Sequence, residues 1–161
     1  MVRRVRRLLA AGLTLASAAS LADFQSGLQA FRDNAYGQAH DRWRECAVAD
    51  DASCQYALGV IFDDGLGVTA DAFEALRWYE LAARKAHPDA LMQLGFIYAT
   101  GRGGIIQDPV QAWAFFSRAA AMGVAAAAQS RDRVASTLSV EERARAERLA
   151  DEASIRYHIQ E

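Results

Sequence analysis

Few residues in this chain could do chemistry, and the sequence does not space them as a metal site or a catalytic set requires. The histidines His40, His87 and His158 lie far apart, with no cysteine or carboxylate at a convincing metal-ligand spacing. The acidic pairs Asp50-Asp51 and Asp63-Asp64 lie beside glycine or at helix starts, where solvated turn residues are common. We therefore predict no bound metal ion, no cofactor and no catalytic residue.

Two further patterns resemble enzyme motifs only in part. The run Gly101-Arg102-Gly103-Gly104 lacks the Gly-Lys-Ser/Thr ending of a phosphate-binding loop, and no predicted strand precedes it. Lys85 is the single lysine of the chain, and no Ser-x-x-Lys motif precedes it. The serine-acylation residues of penicillin-recognising enzymes are therefore missing. These patterns predict a turn at the glycines and a protein that is not an enzyme.

The elements that position these residues are organised as a repeat. The segment 57–86 shares a pattern with the segment 93–123, and its motif Leu58-Gly59 returns as Leu94-Gly95, 36 positions later. The other matched pairs are Gly65 with Gly101, Gly67 with Gly103 and, after one inserted residue, Asp71 with Asp108, Ala75 with Ala112, Trp78 with Phe115, Tyr79 with Phe116, Ala82 with Ala119 and Ala83 with Ala120. A period in the thirties indicates a repeat array, in which each unit buries its apolar face against its neighbours.

Apolar residues at helical spacing predict seven or eight helices joined by short turns, and no stretch alternates as a strand would. From residue 52 onward, the predicted helices cover 52–64, Asp71 to about Ala86, 88–100, Asp108 to near Gly123, 124–136 and about 140–153. Capping boxes are predicted at three helix starts, namely Asp71 with Glu74, Asp108 with Gln111 and Ser139 with Glu142.

A degenerate unit precedes the two clear copies. Its second predicted helix repeats three core positions at the same offset, with Ala39, Trp43 and Ala47 standing 36 positions before Ala75, Tyr79 and Ala83. Small residues such as Gly59 and Gly95 let neighbouring helices approach closely. We expect the large rings of Trp43, Trp78 and Phe115 to fill the remaining space.

The first 22 residues have the features of a secretory signal peptide. Four arginines between Arg3 and Arg7 precede a short apolar stretch from Leu8 to Ala19. Small residues permit cleavage after Ala22 or after Ala18. We predict export to the periplasm or the exterior of a bacterium, with no stable membrane insertion after cleavage. The alternative is an uncleaved membrane anchor.

The charge balance argues against a nucleic-acid partner. The formal net charge is −2, but residues 1–22 hold four arginines and no acidic residue. The remainder therefore has 14 basic and 20 acidic residues, a balance of −6. A surface of this sign does not favour phosphate contacts.

The repeated pattern resembles the Sel-1-like repeat, a relative of the tetratricopeptide repeat. Residues 54–86 match it through the loop Gly65-Leu66-Gly67-Val68 and the second-helix residues Trp78-Tyr79 and Ala82-Ala83. Residues 90–123 match it too, with a loop that is one residue longer. The resemblance implies an all-α fold, a right-handed α-solenoid of antiparallel helical hairpins.

This fold gives an expected division of the chain. The expected segments are a signal peptide at 1–22, a repeat domain at 23–153 and a tail at 154–161. Within the repeat domain we expect a degenerate unit at 23–49, repeats at about 52–86 and 88–123, and a C-terminal helical pair at 124–153.

The resemblance also bears on the two cysteines. Cys46 aligns with Ala82 and Ala119, and Cys54 aligns with Ala90, all of them small positions that face the core. Cysteine-rich secreted members of the family resemble this chain in cysteine spacing, which implies a Cys46–Cys54 disulfide in an oxidising compartment. The alternative is a pair of buried free thiols in a cytosolic chain.

For function, the resemblance implies a scaffold that binds another protein or a peptide on the concave surface formed by the first helices. The residues predicted to contact this partner are Tyr56, Val60, Asp63, Met92 and Phe96. The first three point away from the helix face that carries Leu58 and Ile61. Met92 and Phe96 are the equivalents of Tyr56 and Val60 in the next repeat. The alternative is that these side chains pack against the next repeat or the N-terminal helix.

Two other functions stay open at this point. Some disulfide-rich relatives are linked to β-lactam binding, so a protein that binds or hydrolyses β-lactams or cell-wall fragments is one alternative. The other is a regulator that acts on the periplasmic domain of a membrane sensor kinase.

Overall fold

A computed structural model describes residues 20–158, and it describes side chains as far as residue 152. This range contains eight α-helices and no β-strand. The helices are α1 (20–32), α2 (Tyr36–Val48), α3 (Ala52–Asp64), α4 (Ala72–Arg84), α5 (Pro88–Thr100), α6 (Pro109–Ala121), α7 (Ala125–Ala135) and α8 (Val140–His158), with one short 3₁₀ turn at Arg102–Gly104. The predicted all-α solenoid of helical hairpins is confirmed.

Two predicted segments fall partly outside the described residues. Most of the predicted signal peptide lies in residues 1–19, and the last part of the predicted tail lies in residues 159–161. Within the described range the predicted helix bounds agree closely with the structure, except that α8 continues beyond residue 153 to His158.

Helix starts and ends are set by local side-chain chemistry. The carboxylates of Asp51, Asp71 and Asp108 each accept N–H groups two and three residues further on, at 2.9–3.0 Å. Gly65 and Gly101 end α3 and α5 in the left-handed conformation, with φ of 67° and 68°.

Only one of the three predicted capping boxes is complete. Ser139 and Glu142 exchange the two expected hydrogen bonds, at 2.9 and 3.2 Å. Glu74 instead accepts from Arg77, and the Gln111 amide donates to the Asp108 carboxylate at 3.3 Å. In both cases the N-cap backbone N–H is already used, since Asp71 N–H donates to the Phe62 carbonyl at 2.9 Å and Asp108 N–H donates to the Tyr98 carbonyl at 2.8 Å.

Each of the first three helical pairs packs a glycine against an aromatic ring. The pairs are Gly27 with Trp43, Gly59 with Tyr79 and Gly95 with Phe116. A Cβ atom added at any of these glycines would lie closer than 3.0 Å to the ring. The α1–α2 hairpin therefore has the same internal packing as the two clear repeats, which supports its prediction as a degenerate unit.

The rings that fill these gaps differ in part from those predicted. Trp43 is buried as expected, but in the next two units the buried rings are Tyr79 and Phe116. Trp78 and Phe115 are only half-buried. They precede the buried rings by one residue, and a 100° step around the helix turns them out of the hairpin.

The two cysteines form a disulfide that joins α2 to α3. Both are buried, and the Cα atoms of Cys46 and Cys54 are 5.9 Å apart. Asp50, in the intervening turn, forms an ion pair with Lys85 at the end of α4, and this hydrogen bond lowers the pKa of Asp50. A covalent link and an ion pair thus hold the first two helical pairs together at the same turn.

The last two helices close the array against α6. Ala146 and Ala150 of α8 are buried against Val110, Trp113 and Ala114 of α6. This is the apolar face predicted for α8. The opposite face of α8 is charged, as suits a terminal helix of a repeat array.

Candidate protein-binding surface

The predicted partner-binding residues lie on the first helices of the two clear repeats. We define the α3–α5 strip as Tyr56 and Val60 of α3 with Met92 and Phe96 of α5. Tyr56, Val60 and Met92 are half-buried against the main core, which is formed mostly by buried side chains of α4, α5, α6 and α7. Phe96 is 38% exposed. Part of each of the first three side chains is therefore buried in the core, and the Tyr56 ring contacts His87 at the start of α5.

Tyr56 lies at the junction of the two repeats. Its ring is tilted against the ring of Tyr79, with centroids 5.8 Å apart, and stacks on the ring of His87 at 4.8 Å. Burial raises the pKa of the Tyr56 hydroxyl, and the negative charges of Asp89 and Asp64 raise it further. Both carboxylates therefore lie close enough to the Tyr56 hydroxyl to affect its pKa electrostatically.

Phe96 presents the most accessible ring of the strip. One edge contacts Phe116 in a T-shaped pair with centroids 5.2 Å apart, which holds the ring in place. Part of the residue, 38%, faces solvent. An aromatic ring that is both fixed and exposed can bury area against a partner at little cost in side-chain entropy.

Asp63, also predicted to contact a partner, is occupied within the fold. Its side chain is only 9% exposed, accepts a hydrogen bond from the Tyr79 hydroxyl at 3.2 Å and forms an ion pair with Arg102. Burial raises the pKa of Asp63, and the Arg102 guanidinium opposes that rise. Asp63 therefore links α3 to the loop that follows α5. Helical periodicity could not show this, because Arg102 lies 39 positions away in the sequence.

Charge on these two helices has one sign. Helices α3 and α5 carry Asp63, Asp64 and Asp89 and no basic residue. Asp64 and Asp89 are exposed, and neither forms a hydrogen bond or ion pair within the described part of the chain. Sequence analysis did not select Asp64 or Asp89 as candidate binding residues. The sequence did contain a signal for an acidic surface, because neither α3 nor α5 has a lysine or an arginine.

Features of other site classes are missing from residues 20–158. This part of the chain has no group of three or more histidine, cysteine or acidic residues placed to hold a metal ion. It also has no helix with the length and apolar character that crossing a lipid bilayer requires.

Comparison with known families decides what the array is. The family model for the Sel1 repeat matches residues 52–87 and again residues 88–124. The chain is a Sel1-repeat protein. The Sel1 repeat fold is generally a protein–protein interaction scaffold and is typically non-enzymatic. No curated protein matches this chain.

Solved structures of other Sel1-repeat proteins resemble it. One is a protective antigen present in uropathogenic Escherichia coli strains that displays an SLR fold, with a TM-score of 0.80 and 28% identity over 86% of this chain. Another is a Sel1 repeat protein from Oxalobacter formigenes, with a TM-score of 0.55 and 28% identity over 57% of this chain. The chain spans 30% and 36% of these two proteins, so each is much longer than the part that it resembles.

His87 caps α5 at the junction of the two Sel1 repeats through a nitrogen that can titrate. Its Nδ1 accepts the N–H of Ala90 at 3.4 Å, which caps α5 and requires an unprotonated nitrogen. Burial lowers the pKa of His87 below its usual 6.5, although Asp89 and Asp51 oppose that shift. Since the folded pKa is the lower one, stability is complete above about pH 6.5 and falls as the pH drops toward the folded pKa.

We predict that the variant His87→Asn has a weaker acid dependence of stability than the wild-type chain, because asparagine can cap a helix without titrating. Between about pH 7.5 and about pH 5.5, the free energy of unfolding of the wild type should fall by about 0.5 kcal/mol more than that of the variant. The difference is small because solvent partly screens the half-buried ring. Urea unfolding at both pH values measures the difference. Equal losses in the two proteins would show that His87 does not couple protonation to stability.

Proposed function

We propose that this Sel1-repeat protein is an exported, non-enzymatic scaffold that binds a segment of another protein on the α3–α5 strip. One observation carries the proposal. The fixed and exposed ring of Phe96 and the half-buried Tyr56 lie on helices whose only charges are acidic. A matching segment has an apolar side chain next to lysine or arginine.

Two physical terms favour such a segment. Its apolar side chain would contact Phe96 and the exposed parts of Tyr56 and Met92, and aromatic residues in such positions often dominate binding energy. Its basic side chain would approach Asp64 or Asp89, which form no hydrogen bond or ion pair within residues 20–152. Exposed ion pairs add about 0.2–1 kcal/mol each and mainly raise the association rate.

Export is supported by the N-terminal arginines, by the apolar stretch that follows them and by the buried disulfide. The two candidate cleavage positions differ in a structural consequence. The Ser20 hydroxyl donates to the Asp51 carboxylate at 2.7 Å, and cleavage after Ala18 retains this bond while cleavage after Ala22 removes it. The mass of the exported chain distinguishes the two. The periplasmic domain of a membrane sensor kinase is one kind of partner that a periplasmic scaffold could bind.

We predict that Phe96→Asp abolishes capture of the physiological partner, because it places a charge where an apolar contact is expected. Phe73→Asp is the matched control, since Phe73 is also an exposed phenylalanine, at 64% exposure, but lies on α4. Val60 is unsuitable for this test because it packs against the main core.

The measurement is affinity capture from periplasm with the wild type and both variants, after thermal melts have shown that all three are folded. A protein that binds the wild type and Phe73→Asp but not Phe96→Asp supports the α3–α5 strip. Synthetic peptides from that protein then test the charge rule, since replacing their basic residues should weaken binding. Identical captures by all three proteins would remove the strip as the binding site.

A further inference from the structure

A concave feature lies between the second helices of successive units. The α2–α4 cleft has a volume of about 450 Å³. Its walls are one face of α2 and one face of α4, and α3 forms its floor. The lining residues are His40, Arg44 and Val48 of α2, Leu58 and Phe62 of α3, and Glu74, Arg77 and Trp78 of α4.

The polar groups of this cleft leave positive charge uncompensated. The one carboxylate, Glu74, already accepts from Arg77, whose Nη2 lies 2.9 Å from the carboxylate oxygen. Arg77 is also held over the ring of Trp78, with its Cζ 4.7 Å from the centroid. Arg44 has no hydrogen bond or ion pair to any residue that the structure describes.

Apolar surface lies next to this charge. Val48 is 75% exposed at the edge of the cleft, and the rings of Phe62 and Trp78 are half-buried in its wall and floor. The His40 ring packs edge-on against Phe62 with centroids 5.8 Å apart, which holds the floor in place. The cleft therefore offers a guanidinium group beside rigid apolar contacts.

A cleft with two arginines and one glutamate recurs one repeat later, although Glu80 stands at the position equivalent to Arg44. A smaller cleft of about 230 Å³ between α4 and α6 is lined by two arginines, Arg84 and Arg118, and by one glutamate, Glu80. Glu80 is the neighbour of the Tyr98 hydroxyl, whose pKa is raised by burial and also by Glu80. Phe115 takes the place of Trp78. An extended ligand that follows the second helices would meet arginines in both clefts.

We propose that the α2–α4 cleft binds an extended peptide segment in which a carboxylate side chain stands next to an apolar one. The carboxylate pairs with Arg44, and the apolar side chain lies on Val48, Phe62 and Trp78. A nucleic acid is disfavoured, because the chain after residue 22 has an excess of six acidic residues, 20 against 14 basic. The α3–α5 strip has the opposite charge, so the two surfaces select different segments.

The test uses nuclear magnetic resonance titration of the isotope-labelled mature chain with a capped peptide, Gly-Glu-Leu-Glu-Leu-Gly, and with its counterpart in which both glutamates are glutamine. The three tryptophans serve as internal probes, because Trp78 lines the cleft whereas Trp43 and Trp113 are buried and do not line it. We expect a saturable shift of the Trp78 indole signal with the glutamate peptide only.

Two variants test the assigned charge. Arg44→Gln should weaken binding of the glutamate peptide by about 1.5- to 5-fold, the effect of one exposed ion pair. Arg42→Gln is the matched control, since Arg42 is exposed on the same helix, contacts Glu45 at 3.9 Å and does not line the cleft. The affinity of the Arg42→Gln variant for the glutamate peptide should equal that of the wild type.

Three results would overturn the proposal. These are equal binding of the glutamine peptide, full affinity in Arg44→Gln, or shifts confined to residues of the α3–α5 strip. The proposal is independent of the function proposed for the strip, because Phe96→Asp should leave the titration of Trp78 unchanged.

Discussion

The free energy of unfolding of the double variant Cys46→Ala/Cys54→Ala is expected to be about 2.5 kcal/mol lower than that of the oxidised wild type. The disulfide closes a loop with a sequence separation of 8 and so restricts the unfolded chain. Alanine is the appropriate replacement, because the repeats themselves place Ala82, Ala119 and Ala90 at the equivalent core positions. The variant therefore removes the covalent link while keeping small apolar side chains in the core.

Urea unfolding of both proteins, with and without a reducing agent, measures this effect. The wild type should lose its advantage on reduction, and the double variant should not respond. A shift in melting temperature of roughly 8 °C is expected for a domain of this size. If the reduced and oxidised wild type had equal stability, the link would have no part in holding the first two helical pairs together.

The consequence would reach both proposed surfaces. Cys46 lies on α2, which forms one wall of the α2–α4 cleft, and Cys54 lies on α3, which carries half of the α3–α5 strip. Loss of the disulfide should therefore weaken both binding activities wherever the variant is close to unfolding. Working well below the melting temperature separates lost stability from lost contacts.

The variant Gly59→Ala is expected to lower the free energy of unfolding by about 2 kcal/mol, although alanine is normally the better helix residue. The added Cβ would lie closer than 3.0 Å to the ring of Tyr79. That ring is buried, and its hydroxyl is bonded to Asp63, so it has little freedom to move. Either α3 and α4 separate or Tyr79 leaves its rotamer, and both changes cost packing energy.

Gly37→Ala provides the matched control. Gly37 also lies within a helix, α2, but an added Cβ there has nothing within 4 Å. Because Gly37 is the second residue of α2, where propensity counts for less than in a helix interior, this substitution should be neutral or stabilise the chain by up to about 0.5 kcal/mol. Chemical denaturation of the two variants checks the contrast. A stabilised Gly59→Ala protein would mean that the hairpins tolerate a wider helix spacing than the structure shows.

Much of this architecture was predictable because it depends on local chemistry. The helix bounds follow from features that act within a few residues, such as the Asp108 cap, the Pro109 start and the Gly101 end. The repeat itself is visible as a fixed offset. The disulfide followed from the resemblance to a family, together with the alignment of Cys46 and Cys54 to small core positions.

Predictions that depend on one step around a helix were less secure. Trp78 and Phe115 were expected in the core, yet Tyr79 and Phe116 occupy it. Neighbouring residues on a helix differ by 100°, so an error of one position moves a side chain from the interior to the surface. The sequence pattern allows either of two adjacent aromatic residues to be the buried one. In the structure, the buried ring is the one that packs against the glycine of the facing helix.

The sequence by itself determined the helices, their order, the repeat and the residues available on each helix face, since these depend on short-range preferences and periodicity. Only the tertiary structure decided that Asp63 is occupied by Tyr79 and Arg102, that Phe96 remains accessible, and that Arg44 and Trp78 line one cleft. These contacts join residues from different helices. Their distances depend on how closely the hairpins pack, which no single segment of the chain specifies.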